Sequence, residues 1–551
     1  MKKIGRRMLT LATAMLLLAS MELSVLADTW YLENGDVVVN ADASGQTVSQ
    51  AGSTPVADSA PVITQEKPSV ATSNTITVNT ANGADANVTI QDVNIEASGE
   101  AAMTVNRSEG SEVTVELNGE NTLTGGSMHA GLETHGNGEL IVQDVDGEGI
   151  LEAMGGYAGA GIGGGNGCDA TNITITGGNI LVTGGSSGAG IGGGSNGSGS
   201  GIVVNGGEVT ATGGSGGAGI GGGHGGAGTD ISIQNGEVTA EGGLSGAGIG
   251  GGYGSAGDDI VITGGEVNAQ GGMYAAGIGG GNRGNGTDIT IKNGTVYAEG
   301  GKEGAGIGGG TLGAGENIAI SGGDVTAQGG SVAAGIGGGY KGAGTNVVIS
   351  GGTVEALGGT YAAGIGGGYN AAGSGLVVKE YAIVTALGQN DAADSGNGEA
   401  ATGPRQQDNV DLSWLYKTGS YTNRYGTVYG TKSPPEPPAH VCSSGSAVIC
   451  NGNLCCGCGR VLKRLFTVDH PWEENLEDSV LTVTVDESAA ILSYWLFGIQ
   501  ALVEQDVHTL VFVTAEAETV LDLNQWLSEN NPAGEYQIQH RGTESTIVQS
   551  E

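Results

Sequence analysis

The hexapeptide Ala-Gly-Ile-Gly-Gly-Gly returns with its isoleucine at Ile162, Ile191, Ile220, Ile249, Ile278, Ile307, Ile336 and Ile365, each 29 residues after the last. Eight copies without an insertion constrain the chain more than any composition does. A strict period of this length marks a repeat architecture whose units bury their apolar faces only by stacking. Counting from each isoleucine, positions eleven and thirteen are apolar in every copy, from Ile173 and Ile175 to Leu376 and Val378. This alternation is a strand with one apolar face. Position eighteen, from Ile180 to Ile383, starts a second strand after a corner such as Gly177-Gly178 or Asn235-Gly236.

Each unit therefore holds three short segments that point their apolar residues one way, and stacked units form continuous ladders. The expected fold is all-β: a right-handed parallel β-helix of 29-residue glycine-rich repeats, rising ~4.8 Å per coil. The 112 glycines and three phenylalanines fit such a solenoid better than a compact domain with an aromatic core. The triple glycine after each isoleucine is expected to make a third face free of side chains. Upstream, "TITV" from Thr75, "NVTIQDVNIEA" from Asn87 and "HAGLE" from His129 carry the same pattern with less glycine. The β-helix is therefore predicted over residues 74–390, with strict repeats at 156–388.

The flanks read differently. Lys2, Lys3, Arg6 and Arg7 precede the apolar run Met8 to Ala19, and Val25-Leu26-Ala27 offers small residues for cleavage, so 1–27 is predicted to be a secretory signal. The chain is accordingly expected outside the cell, with no membrane span in its mature form. Residues 28–73 are read as a leader segment, 391–439 as a polar and then proline-rich linker, 440–472 as a cysteine-rich segment and 473–551 as a small C-terminal module, α+β or β-rich.

Charge excludes one class of partner. At a net −39, and more negative once the basic signal is removed, the chain will not bind nucleic acid by neutralising phosphates. A dinucleotide loop is excluded too. Gly159 to Gly164 fits G-x-G-x-x-G, but glycines and another strand follow where a helix is needed. Gly225 to Asp230 begins like a calcium nonapeptide, yet its apolar residues fall one position off and the period is wrong.

Three groups of residues are candidates for ligand contact. Asp230, Asp259 and Asp288 occupy position ten of successive repeats, where stacked carboxylates can share calcium, a hard cation with oxygen ligands, or simply form solvated Asx turns. Tyr253, Tyr340 and Tyr369 at position four, with Tyr274 and Tyr361 just before their isoleucines, offer ring faces to sugars. Cys455 and Cys458, with His440 and His470, can be drawn as a tetrahedral zinc site, with disulfides the alternative in a secreted chain.

The stretch from Trp30 to about Gly388, with "WYLENGDVVVNA", "VTVELNGENTLTGG" and the "GAGIGGG…ITITGG…VTATGG" repeats, resembles secreted β-helical surface proteins of anaerobic Gram-positive bacteria. It is similar to a carbohydrate-binding-domain family of right-handed β-helices that bind acidic plant polysaccharide with calcium. The resemblance implies a non-catalytic, adhesin-like protein of the cell surface or medium that binds polysaccharide or a cell-surface glycan. Two alternatives stand beside it. One is a structural spacer that displays the C-terminal modules; the other is a polysaccharide lyase-like enzyme with Arg283 near Asp259 and Asp288.

Overall fold

A computed structural model describes residues 28–379, 382–388, 392 and 395–396, and then 421–423, 426–429, 447–450, 453–456, 461–464, 466–468, 473–477, 479–495, 502–503, 507–523, 525–526, 535–541 and 543–550. The predicted signal lies outside these residues. The chain divides into two units, 1–433 and 434–551.

The first unit is a parallel β-helix. Each isoleucine pairs in register with the next, Ile162 with Ile191 and onward to Ile336 with Ile365, and all eight are 0–1% exposed. Positions eleven and thirteen pair likewise, as Ile202 with Ile231 and Val204 with Ile233. The rung strands form one sheet of 15 strands, of which thirteen are parallel and mark thirteen coils. The two longer strands of every coil share a second sheet that bends at the corner. In Gly199–Thr212 and Gly228–Glu241 the strand runs through that corner unbroken, with a shifted register, where the sequence suggested a break.

Two backbone positions explain much of the glycine. Gly236 turns the corner at φ +93°, and Gly250, just after its isoleucine, has φ +132°. A methyl group on Gly250 would enter the carbonyl oxygen of Gly279 in the next coil. The third face is therefore bare backbone packed on backbone, as the triple glycine suggested.

Both ends differ from the sequence reading. Residues 28–73 are part of the solenoid: Val37–Asp42 is the first parallel rung, and Gly45–Gln50 folds back on it antiparallel with Val56–Ala57 beside it. This hairpin covers the open edge of the rung sheet, which would otherwise offer unpaired backbone to another chain. At the far end, Gly426–Tyr429, inside the predicted linker, pairs antiparallel with Ala382–Leu387 and with Tyr421–Asn423. The last coil also slips by one residue. Val354 pairs with Val384, so Val384 and Ala386 face the core in place of Ile383. No Gly-Gly corner precedes this strand; Lys379 to Ala382 stand there.

In the second unit, Ala447–Cys450, Asn453–Cys456 and Val461–Arg464 form an antiparallel meander. Cys455 lies on its middle strand; Cys458, His440 and His470 are outside the described residues. Beyond it come two four-stranded sheets. One is antiparallel and ends in Glu535–Arg541 and Glu544–Ser550; the other contains a parallel pair, Val480–Thr484 with Thr509–Val513. Leu481, Leu510 and Phe512 of one sheet bury against Leu492 and Ile538 of the other.

Candidate functional site

Between the rung strand and the bent sheet every coil makes two tight turns, one before its isoleucine and one after. Their backbones are bonded from coil to coil. Tyr253 N–H donates to Gly216 O at 2.8 Å, and Tyr340 and Tyr369 repeat the same bond to Glu303 O and Val332 O at 2.9 Å. Ser245 N–H donates to Ser215 O at 3.0 Å. The turns thus form a continuous wall along the solenoid.

This backbone places the residues four before and four after each isoleucine side by side. A Cβ on Gly216 would meet the ring of His224, and Thr311 Oγ1–H donates to Glu303 Oε2 at 3.2 Å. Tyr361 meets Tyr369 edge to face, centroids 5.7 Å apart. Along the stack, His224 lies on Tyr253 at 4.9 Å and 20°, and Tyr340 on Tyr369 at 6.0 Å and 5°. Lys341 Nζ sits 4.9 Å from the Tyr340 ring centroid. Such ring geometry contributes on the order of 1 kcal/mol beyond burial.

Four of the five predicted tyrosines therefore join ring clusters, Tyr340, Tyr361 and Tyr369 in one and Tyr253 in another. Tyr274 stands in the same wall through its backbone: its N–H donates to Leu244 O at 3.3 Å, and its carbonyl accepts from Thr311 N–H and Oγ1–H at 2.8 and 3.0 Å. His224 and Lys341 were missed. Spacing alone marked their positions, but not that neighbouring rings would lie parallel.

The aspartates of position ten have a different setting. Asn172, Asp230, Asp259, Asp288, Asn317 and Asn346 all have φ between +50° and +58°, and Gly201 and Gly375 complete the column at +64° and +76°. Each interrupts the strand pairing, as between Thr229 and Ile231. Asn, Asp and Gly are the residues that tolerate this left-handed backbone, which accounts for the column's composition. The three carboxylates are exposed. Among the described residues no three His, Cys, Asp or Glu side chains converge to hold a metal ion.

One polar cluster escaped the sequence reading. Glu133 occupies the outward position that later coils fill with glycine, pairing with Gly163, and a Cβ on Gly165 would strike its carboxylate. So covered, it is 5% exposed and accepts from Ala130 N–H at 2.9 Å, His129 Nδ1 at 3.0 Å and His135 Nε2 at 2.9 Å. Burial pushes the Glu133 carboxyl up, but these donors and the two imidazole charges hold it below the usual range. His135 is raised by its bond to Glu133, against burial and the Arg107 charge.

The signs differ. Glu133 stabilises the fold above the ordinary carboxylate pKa and loses this as pH falls through its lowered value; His135 stabilises below the ordinary imidazole pKa and loses this as pH rises through its raised value. The cluster should contribute most between pH ~5 and ~6.5. In urea melts of the β-helix, Glu133→Gln should flatten the difference between pH 5.5 and 8.5; an unchanged difference would assign the pH dependence elsewhere.

A family model described as a beta helix repeat matches residues 202–224, 231–253, 260–282, 289–311, 318–340 and 347–369. Each match begins at the inward residue after the left-handed bulge and ends at position four on the turn wall. Fold and repeats together define a parallel β-helix protein. Searches of curated proteins and of solved structures return no match.

Proposed function

We propose that this β-helix is a secreted or surface-associated, non-catalytic carbohydrate-binding protein, whose polysaccharide or cell-surface glycan ligand lies along the wall of turns. The observation that carries this reading is the cluster of Tyr340, Tyr361 and Tyr369 with Lys341 on otherwise repetitive coils. In a repeat protein, residues that vary on an invariant backbone are the ones free to specify a ligand. The half-buried rings of Tyr340 and Tyr369 at coil spacing, with exposed Tyr361 beside them, suit pyranose faces, and the charge of Lys341 suits a polar or acidic sugar. Calcium held by Asp230, Asp259 and Asp288 is an accessory to the same proposal.

Retardation of the chain in gels containing neutral or acidic polysaccharides, with calcium and with chelator, tests it. Retardation is expected on at least one glycan, and the Tyr340→Ala/Tyr369→Ala double variant should weaken it about five- to tenfold. Unretarded migration on every glycan would support the spacer reading, and unsaturated product released from pectate would support a lyase. Zinc in the cysteine-rich segment is a separate proposal, tested by metal analysis of the purified chain.

A further inference from the structure

The C-terminal module contains an imidazole that the glycan reading does not use. His540, on the strand Glu535–Arg541, is 1% exposed. Its ring packs against Phe512 of the opposite sheet, with centroids 4.7 Å apart. Its Nδ1 lies 3.1 Å from Thr514 Oγ1 and its Nε2 2.8 Å from Thr519 Oγ1. Both threonines belong to the stretch where Thr509–Val513 connects to Glu518–Asp522, in that opposite sheet. One side chain of one sheet is thus clamped at both nitrogens by the other.

The hydrogens can be assigned from the partners. Ala517 N–H donates to Thr514 Oγ1 at 3.3 Å, and that hydroxyl reaches Ala517 O at 3.4 Å, so its remaining lone pair faces Nδ1–H. Thr519 then donates to Nε2. A neutral imidazole satisfies every group.

A second proton on Nε2 meets a donor, and Thr519 must turn its hydrogen away. Its other partner is Ser545 Oγ, exposed on the neighbouring strand, so a chain of hydroxyls joins the buried ring to solvent. Among the described residues the resulting charge has no carboxylate to pair with. Glu535, Tyr536, Arg541 and Glu544 on the hairpin, Tyr494 on the strand paired with it, Glu516, Glu518 and Asp522 around the clamping threonines, His508 before Thr509, and Asp486 and Glu487 in the turn before Ala489 are the ionisable groups on the surrounding described elements. The partners of the ring are the two threonines and Phe512. An unpaired charge in such a setting is costly.

We propose that His540 is an acid-operated latch: proton uptake releases the seam between the two sheets and opens the C-terminal module while the β-helix stays closed. Burial lowers the imidazole pKa, so the open form, with an ordinary imidazole, binds the extra proton. Opening is therefore favoured as pH falls below ~6.5, by at most about tenfold per pH unit for one proton.

Hydrogen exchange of the full-length chain, read by mass spectrometry and corrected for intrinsic chemistry, tests this at pH 7.5, 6.5 and 5.5. Opening of peptides covering 509–522 and 535–541 should rise about tenfold across this range, while peptides around Ile249 should not change. His540→Gln keeps one donor and one acceptor and should abolish the rise. A pH-independent wild-type module overturns the proposal, as does a rise that survives in His540→Gln. Should that variant fail to fold, an NMR titration of the wild-type imidazole decides: a lowered pKa supports the latch, and an ordinary or raised one overturns it.

Discussion

Gly250→Ala is expected to break the solenoid locally, at a cost of about 4 kcal/mol or more. Two effects add. The backbone at φ +132° is one that side chains rarely adopt, worth ~1–3 kcal/mol, and the new methyl enters the Gly279 carbonyl, which belongs to a backbone held by its own ladder and cannot yield cheaply. Relief requires separating the coils of Ile249 and Ile278, and in a stacked protein the loss of one interface uncouples what lies on either side. Gly254→Ala is the control: it also has a left-handed φ, +80°, but open space around it, so only the conformational cost of ~1 kcal/mol applies. Hydrogen exchange at the Ile220 to Ile307 rungs distinguishes them. Equal protection in the two variants would mean that the bare third face tolerates a side chain.

The second large effect is expected at Arg107. This guanidinium is buried inside the coil, 4% exposed, where an apolar rung residue would be the simpler choice. Its Nη1 donates to Gly138 O, Thr171 O and Asn172 O at 2.8 to 2.9 Å, and its Nη2 to Gly136 O at 3.3 Å. Those carbonyls lie on the two coils that follow, so one side chain fastens three coils where the irregular N-terminal turns meet the strict repeats. Burial lowers its pKa to about 10, with the Glu139 charge opposing, and it remains protonated at neutral pH. Arg107→Met fills much of the volume but takes a donor from all four carbonyls, of which Gly136 O keeps Thr171 Oγ1 at 3.2 Å. Unsatisfied buried acceptors cost ~1–3 kcal/mol each before relaxation, so a net loss of about 3–5 kcal/mol is expected in urea melts. A loss below ~1 kcal/mol would show that water replaces the guanidinium.

The β-helix was legible because its period is strict. Ile162 to Ile365 could only stack, and the alternation at Ile202 and Val204 could only place those side chains together inside. Even the degenerate "HAGLE" was placed correctly, since Leu132 pairs with Ile162. Legibility failed where the period fails. The terminal hairpins were read as leader and linker because Gly45–Gln50 and Gly426–Tyr429 pair antiparallel and so leave no repeat to count. The slip from Ile383 to Val384 escaped because one inserted residue reverses which side chains face in, and both residues are apolar.

The candidate site divides in the same way. The tyrosine columns were visible as repeated positions, but the pairing of residues eight apart, such as Tyr361 with Tyr369, depends on two turns folding side by side. The aspartate column was visible as repeated oxygen ligands, and the left-handed backbone that selects Asp, Asn and Gly there was not. Arg107 gave no signal because its acceptors lie about thirty residues or more away; Glu133 has its donors within four residues, but Gly165, which covers it, belongs to the next coil.

The sequence by itself determined which apolar residues face inward in all but the last of the strict repeats, how far each coil advances and that the coils must stack. Burial of a periodic apolar face has one solution, and period carries that information directly. Only the tertiary structure decided which rings of the turn wall touch, which charges are covered and where the solenoid stops. These depend on the distance between separate backbone paths, and a linear spacing does not encode that distance.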